Sequence, residues 1–273
     1  MAVLIQQEWS YLMLDKDLVS VHVHLFYLEP SIYLLDKISE QYNGPIYISL
    51  NEDGENNEEI ESYAARKFKK VNSVTVKNKG NDQYGFYSSF KQNDEETPWI
   101  LYCHDKTIKR IDWLDRILDP VLEYQDIEKA LNNEKNGMIS SGDPEYYLKM
   151  INEEDLTALS KTKNFSGRLE IMQSRHTLTW FRELQYILLS DTGFINAENL
   201  NPNFTAGNMF LARRPVVKMS HQCVHESFFE DYYRPDGNVE HAMERFYFYV
   251  SECLKYKNVF IGAEEPAGHH LGS

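Results

Sequence analysis

Val74-Thr-Val-Lys77, Asn78-Lys-Gly-Asn-Asp82, Tyr84 to Phe90 and Trp99-Ile-Leu-Tyr-Cys-His104-Asp105-Lys106 make up the stretch that decides the fold. It reads as an apolar strand, a turn of small and polar residues, an amphipathic helix, and a second apolar strand that ends in charge. In an open α/β sheet, ligands bind beyond the carboxyl ends of the strands. Here two successive strand ends carry side chains able to hold a ligand, which points to a nucleotide or phosphate site.

The chain before this stretch follows the same logic. Val19 to Tyr27 alternates and is rich in β-branched residues, as a strand requires. Glu29-Pro30-Ser31 opens a helix with proline in its first turn, and Ile32, Leu35 and Ile38 form its apolar face. Tyr42-Asn-Gly-Pro45 ends it before a strand over Ile46–Leu50, and Ile60–Lys70 reads as a helix leading to the strand at Val71–Lys77. Strands alternating with helices predict an α/β fold: a doubly wound, mainly parallel sheet flanked by helices.

After Lys106 the pattern loosens. Trp113–Leu122 is helical, with Leu114, Ile117, Leu118 and Val121 on one face, and Asn136–Ser140 reads as a further strand. Glu145–Leu159 and His176–Leu189 read as helices of an excursion over the sheet, separated by the polar interval Ser160–Ser166. The chain returns through the apolar segment Phe204–Arg213, and Asn238–Leu254 is the last strong helix. The expected organisation is one domain over residues 1–273, with a nucleotide-binding half at 19–135 and an acceptor-side half at 136–260. Gly268 to Ser273 reads as a terminal tail, and its histidines carry no weight as a metal site.

Hydrophobic residues at 42% and aromatics at 13% fit a packed globular chain. A net charge of −14 without a long basic run argues against nucleic acid, which needs a cationic footprint. The 3 cysteines, Cys103, Cys223 and Cys253, are too scattered for a disulfide framework and suit a reducing cytoplasm. No apolar run approaches the ~18 residues of a membrane span. Nor is there the basic-then-apolar opening of a signal peptide.

Each chemical motif has a plainer reading beside the functional one. In Asn78-Lys-Gly-Asn-Asp82, Gly80 permits left-handed backbone or close approach, and the following helix N-terminus offers N–H groups to an anion. Alternatively it is an ordinary turn in which Asp82 caps the helix. At His104-Asp105-Lys106, Asp105 is a candidate ligand for a divalent cation and Lys106 a candidate phosphate contact, against a solvated loop. His22 and His24 share a strand face, as metal ligands or as core histidines. His221, Cys223 and His225 alternate without a CxxC partner, which makes a poor zinc site. In Thr205-Ala-Gly207-Asn208, small residues leave room for a ligand or for a crossing element. His241, Glu244 and Arg245 lie close together on the final helix, as a general base or as an ion-pair face. The phosphate fingerprints GxxxxGK[ST] and GxGxxG are absent, as is GxSxG.

Taken in order, these segments resemble the rhamnan synthesis protein F family of bacterial glycosyltransferases. Val21-His-Val-His-Leu-Phe-Tyr27 is similar to that family's first strand. Asn78-Lys-Gly-Asn-Asp82 is similar to its Asn-Arg-Gly-Arg-Asp turn, and Tyr102-Cys-His104-Asp-Lys106 to its Leu-His-Thr-Lys segment. Ala206-Gly-Asn-Met-Phe-Leu-Ala-Arg213 and His241-Ala-Met-Glu-Arg245 resemble its Ala-Gly-Ser-Met-Phe-Trp-Ala-Arg strand and His-Ala-(Leu/Ile)-Glu-Arg helix. The likeness runs from about Val19 to Leu254 and is weakest over Ser141–Leu200.

The resemblance implies a GT-A-like fold and sugar transfer from a nucleotide-diphosphate sugar onto a growing cell-surface polysaccharide of capsule, O-antigen or rhamnan type. Donor contacts are expected from Asn78, Gly80, Asp82, His104 and Lys106, and acceptor contacts from Gly207 and Asn208. Glu244 or His241 is the expected base, and Asp105 the expected ligand if a divalent cation (Mg²⁺ or Mn²⁺) takes part. Cys103-His104-Asp105 stands where such folds carry Asp-x-Asp, and Lys79 and Asn81 replace two arginines of the family turn. Expected partners are the donor and a glycan or lipid-linked glycan acceptor. The expected place is the cytoplasm, at the inner face of the membrane through peripheral association. The competing readings are a non-catalytic glycan- or nucleotide-binding module and a metal-dependent hydrolase built on the histidines.

Overall fold

A computed structural model describes residues 13–54, 56–93, 95–108, 111–141, 175–192, 208–231 and 238–261. The first half runs β1 (Val19–Leu25), α1 (Leu28–Gln41), β2 (Ile46–Asn51), α2 (Asn57–Lys67), β3 (Val71–Val76), α3 (Asn81–Lys91) and β4 (Trp99–His104). There follow α4 (Ile111–Leu122), α5 (Ile127–Asn132), β5 (Asn136–Ser141) and α6 (Arg175–Thr192). The described chain then continues through β6 (Phe210–Arg213), α7 (Arg214–Gln222), α8 (Val239–Cys253) and β7 (Lys257–Ile261). The strands form one 7-stranded sheet in the order β3-β2-β1-β4-β6-β5-β7. β6 runs antiparallel to both β4 and β5, and the other pairings are parallel. The α/β, mainly parallel architecture expected from the alternation is the one observed.

Alternation along the strands divides the core between the two faces of the sheet. Val19, Val21, Val23 and Leu25 of β1, with Trp99, Leu101 and Cys103 of β4, pack among Leu34, Leu35 and Ile38 of α1 and Leu114, Ile117 and Leu118 of α4. Ile100 and Tyr102 face the other way, among Phe86 of α3, Val216 and Val217 of α7 and Phe246 and Phe248 of α8. The intervening β1 positions on that second face are Ser20, His22 and His24, all buried. They are tolerated because each finds a partner. His22 stacks on Tyr47 at 4.7 Å and bonds Ser89 Oγ at 3.1 Å and Asn93 Nδ2 at 2.9 Å. His24 Nδ1 lies 3.0 Å from Ser49 Oγ.

Several elements were not legible in advance. Phe204–Arg213 is not one strand: β6 occupies only its last four residues, and residues up to 207 lie outside those described. Arg214 starts α7 directly afterwards with Pro215 in its first turn, so His221 belongs to that helix and Cys223 is its C-cap. The alternation read into His221, Cys223 and His225 is therefore not a strand. α5 and β7 also escaped the sequence reading. The expected helix at Glu145–Leu159 and the polar interval after it lie outside the described residues, whereas His176–Leu189 falls within α6. No described helix is long and apolar enough to cross a membrane.

Candidate functional site at the carboxyl edge

The strand order turns outward in both directions from the β1–β4 pair, which makes that pair the switch point where an open sheet leaves a crevice for ligand. His24 lies opposite His104 in the register, so both strands end level. α3 reaches the same edge from above. Gly85 allows this closeness, since a Cβ there would stand 2.2 Å from His24 Nδ1 and 2.6 Å from Ser49 Oγ.

Asp82, in the first turn of α3, is the hub of this edge. Its Oδ2 accepts from Asn208 Nδ2 at 2.7 Å, from the Tyr102 hydroxyl at 2.9 Å and from Gln83 Nε2 at 3.2 Å, with His104 Nε2 at 3.8 Å. Burial alone would raise its pKa. Electrostatic attraction to His104, Lys106 and His24, with the hydrogen bond from the Tyr102 hydroxyl, outweighs that and holds it below the usual carboxylate value. The capping role considered for Asp82 is not the one it plays. The N-cap is Gly80, in left-handed conformation at φ 60°, and the Asp82 side chain turns inward.

The remaining turn residues are placed differently from one another. Gly80 gives its N–H to Glu230 O at 3.0 Å, and Phe229 packs where its Cβ would stand, at 2.4 Å. The closeness that glycine permits is thus to Phe229 rather than to open space. Asn78 is exposed at the rim. Lys79 reaches Glu226 Oε1 at 3.3 Å and lies 4.4 Å from the Tyr84 ring centre, so its charge faces a carboxylate of its own chain.

At the end of β4, Lys106 Nζ donates to His104 Nε2 at 2.9 Å and puts a cation beside Asp82. Asp105 points the other way. Its Oδ2 accepts from the backbone N–H of Phe26 at 2.9 Å and of Tyr27 at 2.6 Å, and from Ser31 Oγ at 2.9 Å. Burial pushes its pKa up to about 6 against the pull of these donors and of Lys106. That carboxylate oxygen holds the β1–α1 turn in place and is already saturated. Among the described residues, no three His, Cys, Asp or Glu side chains gather as a metal site. The histidines are dispersed as well. Buried His22, His24 and His221 are held neutral chiefly by desolvation, and His221 bonds the Tyr247 hydroxyl at 2.9 Å.

Gly207, expected to face an acceptor, lies outside the described residues, whereas Asn208 is buried with φ 54° just before β6. While its amide nitrogen serves Asp82, its Oδ1 is buried without a hydrogen-bond partner. On α8, Glu244 lies 4.0 Å from Arg245, whose Nη1 donates to the His241 carbonyl. Two residues of this helix meet the site: Tyr247, whose hydroxyl donates to Gln83 Oε1 at 2.9 Å, and Glu240, which is 2% exposed. Its Oε1 accepts from Asn238 Nδ2 at 2.9 Å and Asn81 Nδ2 at 3.3 Å, while Oε2 is buried with no partner. Desolvation raises its pKa to about 7, aided by the negative charges of Asp82 and Glu230. Sequence reading passed over Glu240 in favour of Glu244. The cue was its place in the first helical turn, next to the Asn238 that precedes α8.

Beside this cluster, at the carboxyl ends of β1 and β2, lies a cleft of about 570 Å³. Phe26, Tyr27 and Pro30 line it from β1 and α1, Asp53 and Asn56 from the loop after β2, and Thr107 and Ile108 from the segment after β4. Tyr27 is 41% exposed and offers a ring face to a planar group.

A parallel α/β sheet with a polar cluster and a cleft at its carboxyl edge belongs to the broad class of ligand-binding doubly wound proteins. Within that class the chain is placed by sequence: the family model for rhamnan synthesis protein F matches residues 2–256, nearly the whole chain. The protein belongs to that family, and its work lies in the synthesis of a polysaccharide. A search of curated proteins found no match.

Proposed function

We infer that the protein is a glycosyltransferase that moves a sugar from a nucleotide-diphosphate sugar onto a growing cell-surface polysaccharide of capsule, O-antigen or rhamnan type. The observation that carries this reading is the pairing, at the sheet's switch point, of an aromatic-walled cleft with a Lys106–His104–Asp82 cluster. The cleft suits a nucleoside, with Tyr27 against the base and Asp53 near ribose hydroxyls. Lys106 and His104 then stand where a diphosphate would lie. Transfer breaks the bond between the anomeric carbon and the β-phosphate oxygen, and the leaving nucleoside diphosphate gains charge. A fixed cation stabilises that charge more in the transition state than in the ground state.

A divalent cation, Mg²⁺ or Mn²⁺, is not needed for this account. Asp105 Oδ2 and Asp82 Oδ2 each accept three hydrogen bonds, so a cation would have to bind these residues through Oδ1. Asp82 acts as the counter-charge that orients His104 and Lys106. The acceptor, a glycan or a lipid-linked glycan, would approach from the Asn208 and α8 side. A lipid-linked acceptor would bring the protein to the inner face of the membrane by peripheral association.

The test is a thermal-shift screen of dTDP-, UDP- and GDP-sugars, followed by measurement of nucleoside diphosphate release. A ligand that binds only the folded state raises the melting temperature. Stabilisation by one donor class with slow release of its nucleoside diphosphate is expected. Stabilisation without release would favour a binding module, and no response to any donor would reject the reading.

A further inference from the structure

We propose that Glu240 is the general base that deprotonates the attacking hydroxyl, an assignment that rests on the glycosyltransferase reading. The geometry is that of a carboxylate with one oxygen fixed and one left open. Oε1 is clamped by Asn238 from the same helix end and by Asn81 from the first residue of α3. Oε2 is fully buried and has no hydrogen-bond partner. Asn208 presents a second buried acceptor with no partner, its Oδ1, from a residue whose amide nitrogen is bonded to Asp82. A buried acceptor left without a donor is costly, on the order of 1–3 kcal/mol, so two around one carboxylate hub call for an explanation. A ligand hydroxyl supplies one, because its proton can satisfy a bare acceptor.

The step balances without a further reactant. The acceptor hydroxyl oxygen bonds to the anomeric carbon as the bond to the β-phosphate oxygen breaks. The electron pair of that bond leaves on the nucleoside diphosphate. The hydroxyl proton passes to Glu240 Oε2, and from there to solvent after product release. Water attacks in the same way when the donor is hydrolysed without acceptor.

The charges that face Glu240 are those of Asp82 on α3 and Glu230 on the segment before α8; both are acidic and favour its protonated form. Such a group is charged and competent only toward the alkaline side of neutrality. The alternative carboxylate on the same helix, Glu244, is associated with Arg245 instead.

The decisive experiment compares wild type, Glu240→Gln, Glu240→Asp and Glu244→Gln in nucleoside diphosphate release from the dTDP-, UDP- and GDP-sugar panel between pH 5.5 and 9. Donor affinity is measured in parallel by titration. Glu240→Gln keeps the shape and an oxygen for Asn81 and Asn238 but cannot take a proton. It is expected to lose roughly 10²–10⁴-fold in turnover, to bind donor as wild type does, and to lose the acid limb of the profile. Glu240→Asp keeps that limb at reduced turnover, which serves as the readout should the Gln variant fold poorly. Wild-type turnover in either Glu240 variant, or a larger loss in Glu244→Gln, overturns the assignment while leaving the enzyme standing. A wild-type protein that neither binds nor cleaves any donor overturns the enzyme reading, and Glu240's role with it.

Discussion

Asn208 donates its side-chain amide to Asp82 Oδ2 at 2.7 Å and so joins the first turn of α3 to the start of β6, across 126 residues of sequence. Asn208 itself sits in left-handed conformation at φ 54°, a region asparagine enters more readily than most residues. The bond therefore ties the β1–β4 half of the sheet to the half that leads into α8. It also leaves Asn208 Oδ1 buried beside the site with nothing to accept. Asp82 serves both the packing and the electrostatics of the edge, and its replacement separates the two.

Asp82→Ala should both lower stability and weaken donor binding. The Asn208 amide loses its acceptor, at about 1–3 kcal/mol for a donor left buried, whereas the Tyr102 hydroxyl keeps the Asp82 carbonyl 2.9 Å away. Lys106 and His104 lose their counter-charge. Tyr102→Phe removes the hydroxyl's bonds to Asp82 Oδ2 and to the Asp82 carbonyl but keeps the charge, so it should cost stability with donor affinity retained. Equal melting-temperature losses in the two variants, both with unchanged donor affinity by titration, would make Asp82 purely structural.

Asp105→Ala should destabilise the β1–α1 turn without making turnover depend on added metal. Its carboxylate serves that turn as an N-cap serves a helix, a role worth roughly 0.5–2 kcal/mol. Consistently, EDTA should leave nucleoside diphosphate release by the wild-type protein intact. Loss of release in EDTA, restored by Mg²⁺ or Mn²⁺, would instead return Asp105 to the role of metal ligand.

Gly80→Ala should be destabilising by more than the ~1 kcal/mol of an ordinary helical Gly–Ala difference. Alanine resists φ of 60°, and its Cβ would meet Phe229 Cδ1 at 2.4 Å. Phe229→Ala alone opens a cavity, typically costing ~3–5 kcal/mol. In that background the additional cost of Gly80→Ala should shrink to the backbone part. A double-mutant cycle by chemical denaturation reads the coupling, and strict additivity would show that Phe229 is not the constraint.

Stability should respond to pH through Glu240. Its folded pKa of about 7 lies above the ordinary glutamate value, so the folded state holds this proton more tightly than the unfolded chain does. The associated stabilisation is complete below about pH 4.3 and is lost as pH rises to about 7. Glu240→Gln removes this dependence and should gain on wild type across that window by a few kcal/mol at most, on the order of 1.4 per pKa unit. Buried His22, His24 and His221 are held neutral and act in the opposite sense, but they are common to both proteins and cancel in the difference. A constant offset in unfolding free energy between pH 4 and 8 would mean that Glu240 is not perturbed.

The sequence by itself determined the first four strands of the sheet and the helices between them. Period-two apolar strands at Val19, Ile46, Val71 and Trp99, broken by helices with apolar stripes, admit little besides a parallel, doubly wound sheet, because each strand must be covered on both faces. It also brought Asp82, His104 and Lys106 into consideration, since polar residues able to hold a ligand collect at two successive strand ends. The reversed strand β6 and the helix α7 directly after it were not legible, since a four-residue strand carries too little periodicity to be seen. Only the tertiary structure turned Asp82 inward, tied Asp105 to Phe26 and Tyr27, and set Glu240 against Asn81 while Glu244 lies by Arg245. Those outcomes depend on which neighbours remove water from a side chain and which donors remain to satisfy it. Neighbours brought together from far along the chain decide that, and local pattern does not encode them.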